Sequence, residues 1–212
     1  MKTWIKFCGT TSLEDALASI EAGADALGFI FAPSKRRITP EKAQAVIEQL
    51  PPTVERVGVF LDASPEEIRR VAGLVDLTGI QLHGNEAAVD VRQALPENRS
   101  SLRIIKTIVM GNGMAKIATA LAGGEAVDAW LLDSGAGSGQ TFDWQAARAQ
   151  MGERQGRFII AGGLTPGNVG EAIRTFSPWG VDVVSGIERE PGRKDRDKMK
   201  AFVAAVRRAE QS

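Results

Sequence analysis

One cysteine stands in 212 residues, so no internal disulfide can form. With no signal-peptide pattern over Met1 to Phe7, the chain reads as cytoplasmic. One histidine and no Cys-x-x-Cys pair leave no familiar zinc site, so a metal-dependent reading begins weak. No apolar run approaches the roughly 20 residues that a membrane span requires. Lys plus Arg and Asp plus Glu both number 26, and this balance favours neither nucleic acid nor an anionic membrane as a partner. Any attraction for an anion must be local. No long Pro-, Ser- or Gly-rich linker divides the chain, and its length suits one domain over 1–212.

What is present is an alternation. Hydrophobic residues make up 43% of the chain, enough to bury a substantial core. Short apolar runs rich in β-branched or aromatic residues alternate with longer segments of helical period, from end to end. Eight runs read as strands: Trp4 to Phe7, Ala26 to Phe31, Arg56 to Phe60, Gly79 to Leu82, Arg103 to Thr107, Ala129 to Leu132, Phe158 to Ala161 and Val181 to Val184. A helix candidate follows each. Helix starts are marked by Ser12, Thr39-Pro40, Ser64-Pro65 and Thr165-Pro166, because proline at the first helical position forgoes an N–H that would have no partner there. Gly23 and Gly180 read as turns leading into strands. Eight βα units in a chain of this length predict an α/β fold closed as a single (β/α)8 TIM barrel, in preference to an open doubly wound sheet.

In a barrel, the residues just after each strand share one face, where such enzymes build their chemistry. That face collects Cys8 and Gly9, Ser34 to Arg37, His83, Asp133, Gly162 and Gly163, and Ser185 to Glu188. The glycine-rich Ser134 to Gln140 reads as a mobile loop after the sixth strand. Gly162-Gly163 and Ser185-Gly186 follow strands seven and eight, where backbone N–H groups commonly receive a phosphate; two ordinary tight turns are the plainer alternative. Cys8 is a thiol at the mouth, although a lone cysteine is more often a small buried hydrophobe. Asp133 ends an apolar strand, where partial desolvation raises a carboxyl pKa and suits a general acid; tethering the following loop is the alternative. An acid facing a base is the arrangement an isomerase needs. Arg36 can hold a carboxylate bidentately or belong to a solvated basic loop. His83 either orients a substrate or bonds within its loop. Asp182 either binds a substrate hydroxyl or is a buried structural carboxylate, with the structural role favoured.

Taken together, these segments resemble the phosphoribosylanthranilate isomerase family of the tryptophan pathway. Lys6-Phe7-Cys8-Gly9 is similar to its N-terminal signature, and Gly23 to Phe31 to its second-strand motif. Ser34 to Pro40, Val57 to Phe60, Gln81 to Gly84, Leu132-Asp133 with Gly137 to Trp144, Ala161 to Leu164, Val181 to Glu188 and Pro191 to Asp195 follow in order. The resemblance covers essentially the whole chain. It implies a (β/α)8 barrel and an Amadori isomerisation of N-(5-phosphoribosyl)anthranilate that requires no metal and no organic cofactor, with Cys8 as general base and Asp133 as general acid. It also implies that Arg36 binds the anthranilate carboxylate and that backbone around Gly163 and Gly186 holds the phosphate. Gln81, His83, Gly162, Asp182 and Ser185 complete the substrate-binding set. The partner expected is a small phosphoribosyl molecule, and the assembly a monomer or homodimer. Cys8 requires help to ionise, from Lys6 or from a cationic intermediate. Two departures stand out: Thr10 occupies a usually apolar position, and the loop before Ser34 is about one residue short. A pentose-phosphate epimerase or indole-glycerol-phosphate synthase would share the glycine turns without needing Cys8. A binding module that had lost turnover would keep the barrel alone.

Overall fold

The computed structural model describes residues 2–110, 121, 126–135, 141–151 and 156–211. Its eight parallel strands form a closed barrel in chain order, as expected. They are β1 (Trp4–Phe7), β2 (Ala26–Ile30), β3 (Glu55–Phe60), β4 (Gly79–Leu82), β5 (Arg103–Val109), β6 (Ala129–Asp133), β7 (Phe158–Ile160) and β8 (Gly180–Val183). The seam closes where β1 meets β8, in a register that sets Lys6 beside Asp182 and Phe7 beside Val183. Parallel strands are buried on both faces, which is why these runs are nearly all apolar.

Around the barrel lie α1 (Leu13–Ala22), α2 (Pro40–Ile47), α3 (Pro65–Leu74), α4 (Ala88–Ala94), α5 (Trp144–Met151), α6 (Val169–Phe176) and α7 (Arg196–Ala209). The helix expected between β5 and β6, and most of the glycine-rich loop after β6, lie outside the described residues. Three helix starts fall where the sequence placed them. The hydroxyls of Ser12, Thr39 and Ser64 accept from the N–H groups of Asp15, Lys42 and Glu67 at 3.2, 3.3 and 3.2 Å, each satisfying a donor the helix leaves free. The fourth differs. Asn168 Oδ1 accepts from the Thr165 N–H at 2.8 Å and closes a turn, so α6 begins only at Val169. Gly23 ends α1 in the left-handed region, whereas α6 ends on Ser177 and Gly180 is already part of β8.

Alternate side chains of a strand face opposite sides, and the core divides accordingly. Ile5, Phe7, Leu27, Phe29, Ile80 and Leu82 pack outward under the helices. Trp4, Ala26, Val57, Ile105, Ala129, Leu131, Ile159 and Ala161 fill the lumen. Continuing that alternation, Lys6 and Cys8 follow Trp4, Gln81 lies on β4, Asp133 follows Leu131, and Asp182 faces Lys6. The lumen is therefore apolar at its floor and charged at mid-height, with Cys8 and Asp133 toward its mouth. Among the described residues a short antiparallel hairpin, β9 (Glu188–Glu190) and β10 (Arg193–Lys194), adds to the mouth after β8.

Candidate active site

Cys8 leaves β1 with its N–H donating to the Val183 carbonyl at 2.9 Å, so the seam between first and last strands sets its position. Its side chain is buried against Gly28 of β2. A Cβ at position 28 would come within 2.5 Å of Sγ and 3.0 Å of the Cys8 Cα. Glycine in mid-strand is otherwise a weak choice, and here it makes room for the thiol.

Beneath Cys8, Lys6 is completely buried, and its Nζ donates to Gln81 Oε1 and Asp182 Oδ1, both at 2.9 Å. Burial alone would depress the lysine pKa, but Asp182 and then Cys8 outweigh it and hold the ammonium above its ordinary range. The thiol above moves the other way from what catalysis by a base asks. Burial raises the Cys8 pKa, Lys6 opposes that, Asp182 adds to it and Lys194 opposes it, with a net rise. Lys6 thus assists ionisation, as the sequence suggested, without being sufficient by itself.

Asp133 ends β6, where its Oδ1 accepts from the Gly135 N–H at 2.7 Å. Burial raises its pKa; the bond from Gly135, and then His83, act against the rise, and Asp182 adds to it. The net effect favours the neutral acid. The charges of Lys6 and Asp182 bear on both the thiol and the carboxyl.

The other rim residues come from four loops. After β2, Arg36 donates through Nε to both oxygens of Glu188, at 2.9 and 3.0 Å, and through Nη2 to Oε2 at 2.7 Å. After β4, His83 donates its N–H to the Phe60 carbonyl at 2.9 Å. The turn beyond it is held by Lys106, whose Nζ donates to the Gly84 and Glu86 carbonyls at 2.7 and 2.8 Å. After β7, Gly162 and Gly163 take φ values of 78° and 65°, and a Cβ at Gly162 would lie 2.5 Å from the Ser134 nitrogen. Asn168 Nδ2 donates to the Gly163 carbonyl at 3.0 Å and steadies that turn. After β8, Ser185–Ile187 forms a single 3-10 turn, whose leading N–H groups have no acceptor inside the turn itself. Any side chain at Gly186 would run into the Leu164 carbonyl oxygen, so the two glycine loops pack backbone to backbone.

Of the residues singled out from the sequence, Gln81 and Asp182 lie one step below the rim as partners of Lys6. Four residues had no assigned role: Gly28, Asn168, Glu188 and Lys194. A glycine inside an apolar strand was a readable sign of close approach; the pairing of Glu188 and Lys194 had no local signature. A separate cavity of about 660 Å³ opens on the opposite face, lined by Arg92, Arg103 and Arg157 among others. Two of those cations are already matched, Arg92 by Asp128 and Arg103 by Glu55.

A closed parallel barrel with a thiol, a carboxyl biased to its neutral form and paired glycine loops on one rim defines a (β/α)8-barrel enzyme. Residues 5–205 match the family described as N-(5'phosphoribosyl)anthranilate (PRA) isomerase. A protein of that name from Geobacter sp. (strain M21) is 41% identical over 207 residues, 97% of this chain and 98% of its own. The crystal structure of phosphoribosyl anthranilate isomerase from Thermotoga maritima superposes with a TM-score of 0.85 at 41% identity, covering 97% of this chain and 98% of that one. A further solved isomerase, in complex with reduced 1-(o-carboxyphenylamino)-1-deoxyribulose 5-phosphate, gives 0.81 at 40% identity with coverage of 97% and 98%. The chain belongs to the N-(5'-phosphoribosyl)anthranilate isomerase family of tryptophan biosynthesis.

Proposed function

We propose that this enzyme converts N-(5-phosphoribosyl)anthranilate to 1-(2-carboxyphenylamino)-1-deoxyribulose 5-phosphate with Asp133 as general acid and Cys8 as general base. The observation that carries the reading is that Cys8 and Asp133 stand at the ends of β1 and β6 on one rim of the barrel, above the Lys6–Asp182 pair. Asp133, biased to its neutral form, donates its proton to the furanose ring oxygen, and the C1′–O bond breaks as the anthranilate nitrogen supplies electrons. The resulting iminium carries positive charge beside the buried thiol. That charge acts with Lys6 and Lys194 against the burial that raises the Cys8 pKa. The Cys8 thiolate then takes the C2′ proton, and the enolamine tautomerises to the ketose.

Backbone N–H groups of Gly162, Gly163, Ser185 and Gly186 receive the phosphate, in the place after strands seven and eight where barrels hold one. Arg36 receives the anthranilate carboxylate. His83 and Asp182 line the ribose path, with Gln81 steadying Lys6 below it. A related isomerase has been solved in complex with reduced 1-(o-carboxyphenylamino)-1-deoxyribulose 5-phosphate, which supports a ligand of this class. Among the described residues no helix is long and apolar enough to cross a membrane. The enzyme works in the cytoplasm as a monomer or homodimer.

Loss of anthranilate fluorescence on turnover measures the reaction. Cys8→Ala and Asp133→Ala are each expected to lower kcat by about 10²- to 10⁴-fold with unchanged circular dichroism. Either variant keeping wild-type turnover removes its residue from the mechanism.

A further inference from the structure

Arg36, Glu188 and Lys194 make a buried charge cluster that acid–base chemistry does not account for. The Glu188 side chain is 3% exposed and that of Lys194 fully enclosed. Burying such groups is unfavourable unless each is paired and hydrogen-bonded. Glu188 is fully engaged, since besides Arg36 it accepts from the Gly192 N–H at 3.1 Å and lies 3.5 Å from Lys194 Nζ. Lys194 Nζ also donates to the carbonyl oxygen of Cys8. The hairpin therefore grips the main chain of Cys8 with one end of the cluster and the guanidinium of Arg36 with the other.

A guanidinium has two edges that can each receive a carboxylate through parallel hydrogen bonds. Glu188 takes the edge formed by Nε and Nη2. Among the described residues Nη1 makes no hydrogen bond, so the edge formed by Nη1 and Nη2 stays open. The stem of Arg36 rests on Gly9, where a Cβ would meet its Cδ at 2.9 Å. Stem and inner edge are both fixed, the stem against Gly9, the residue that follows Cys8. With all three groups ionised, two cations and one anion leave the cluster a net charge of about +1, matched to a single carboxylate.

We propose that Glu188 and Lys194 are positioning residues that aim the outer edge of Arg36 and set it in register with Cys8, making the enzyme selective for an aryl amine bearing an ortho carboxylate. This rests on the assignment of Arg36 to the anthranilate carboxylate. Glu188 acts through Arg36 and governs substrate capture. Lys194 acts on both Arg36 and the Cys8 main chain, and governs capture and turnover together.

The test compares N-(5-phosphoribosyl)anthranilate with N-(5-phosphoribosyl)aniline, which lacks the carboxylate. Wild-type enzyme is expected to prefer the former in kcat/KM by roughly 10- to 100-fold, the range of a charged hydrogen-bonded pair. In Glu188→Gln the KM for the carboxylated substrate rises about tenfold, kcat stays within about threefold, and the preference collapses. Glu188→Asp restores part of it and serves as the working variant if Glu188→Gln does not fold. Lys194→Met lowers kcat as well. In an Arg36→Ala background, Glu188→Gln has no further effect on preference. If Arg36→Ala abolishes the preference while Glu188→Gln and Glu188→Asp both keep it, the positioning role is wrong and the Arg36 assignment stands. If Arg36→Ala keeps the preference, the Arg36 assignment itself fails. Equal losses on both substrates in the Glu188 variants reduce Glu188 to a structural part and also overturn the proposal.

Discussion

Gly28→Ala isolates the placement of the thiol from its chemistry. The added methyl would sit 2.5 Å from Sγ and 3.0 Å from both Cα and Cβ of Cys8. Carbon atoms in comfortable contact lie about 3.5–4.0 Å apart, so the overlap with the β1 backbone amounts to roughly 0.5–1 Å. Two responses are open. Either the thiol rotates to another staggered well, carrying Sγ about 3 Å away, or β1 and β2 move apart. Overpacking of this kind costs roughly 1–3 kcal/mol, which for a chain of this size lowers Tm by about 3–9 °C. A displacement of about 1 Å at a reacting group costs on the order of 10²-fold in rate. The fluorescence assay should therefore show kcat/KM reduced about 100-fold or more at temperatures where the variant is fully folded, with the loss chiefly in kcat. Wild-type kcat in folded Gly28→Ala would show that the position of Sγ has no bearing on the rate, and the assignment of Cys8 as base would fall with it.

Three further outcomes follow from the lumen and its rim. Thr10 Oγ1 is buried without a hydrogen-bond partner, so Thr10→Val should stabilise the fold by about 1 kcal/mol, seen as a Tm rise of roughly 2–4 °C; a fall in Tm refutes the reasoning. In the proposed mechanism the productive state has Asp133 protonated and Cys8 ionised, and burial raises both groups, from ordinary values of 3.8 and 9.0. With the thiol titrating above the carboxyl, kcat/KM falls below the Asp133 pKa as thiolate is lost, stays level between the two, and falls above the Cys8 pKa as the acid is lost. A profile without an alkaline limb contradicts this ordering. Lys6→Met removes a charge that lowers both pKa values, so both limbs should move to higher pH. It also leaves buried Asp182 unpaired, at about 3–5 kcal/mol in chemical denaturation; unchanged stability would show that the pair carries none of the fold.

Much of the barrel was readable because its rules are local. Apolar runs bounded by turn residues placed each of the eight barrel strands within two residues, and the hydroxyls of Ser12, Thr39 and Ser64 marked helices by their own bonding preferences. The start of α6 was misplaced because Asn168 reaches back to Thr165, a choice that side-chain geometry decides and proline position does not reveal. Rim residues were legible through one inference, that strand ends share a face. The hairpin of Glu188 and Lys194 was not: its strands are two and three residues long, and its partners are Arg36 and Cys8, remote in sequence. Lys6 lay between the two cases. In the sequence it stood only as an aid to the ionisation of Cys8, and closure of the barrel alone set it beside Asp182.

The bond from Lys194 to the Cys8 carbonyl joins residues 186 positions apart. During synthesis the thiol precedes this support by 186 residues, so its surroundings are completed late. A growing chain that stops before β8 already carries Cys8, Arg36 and Asp133, yet lacks Glu188 and Lys194, which hold Arg36 and the Cys8 carbonyl in the finished barrel. The environment of the thiol is therefore finished only when residues beyond β8 pack back against the end of β1.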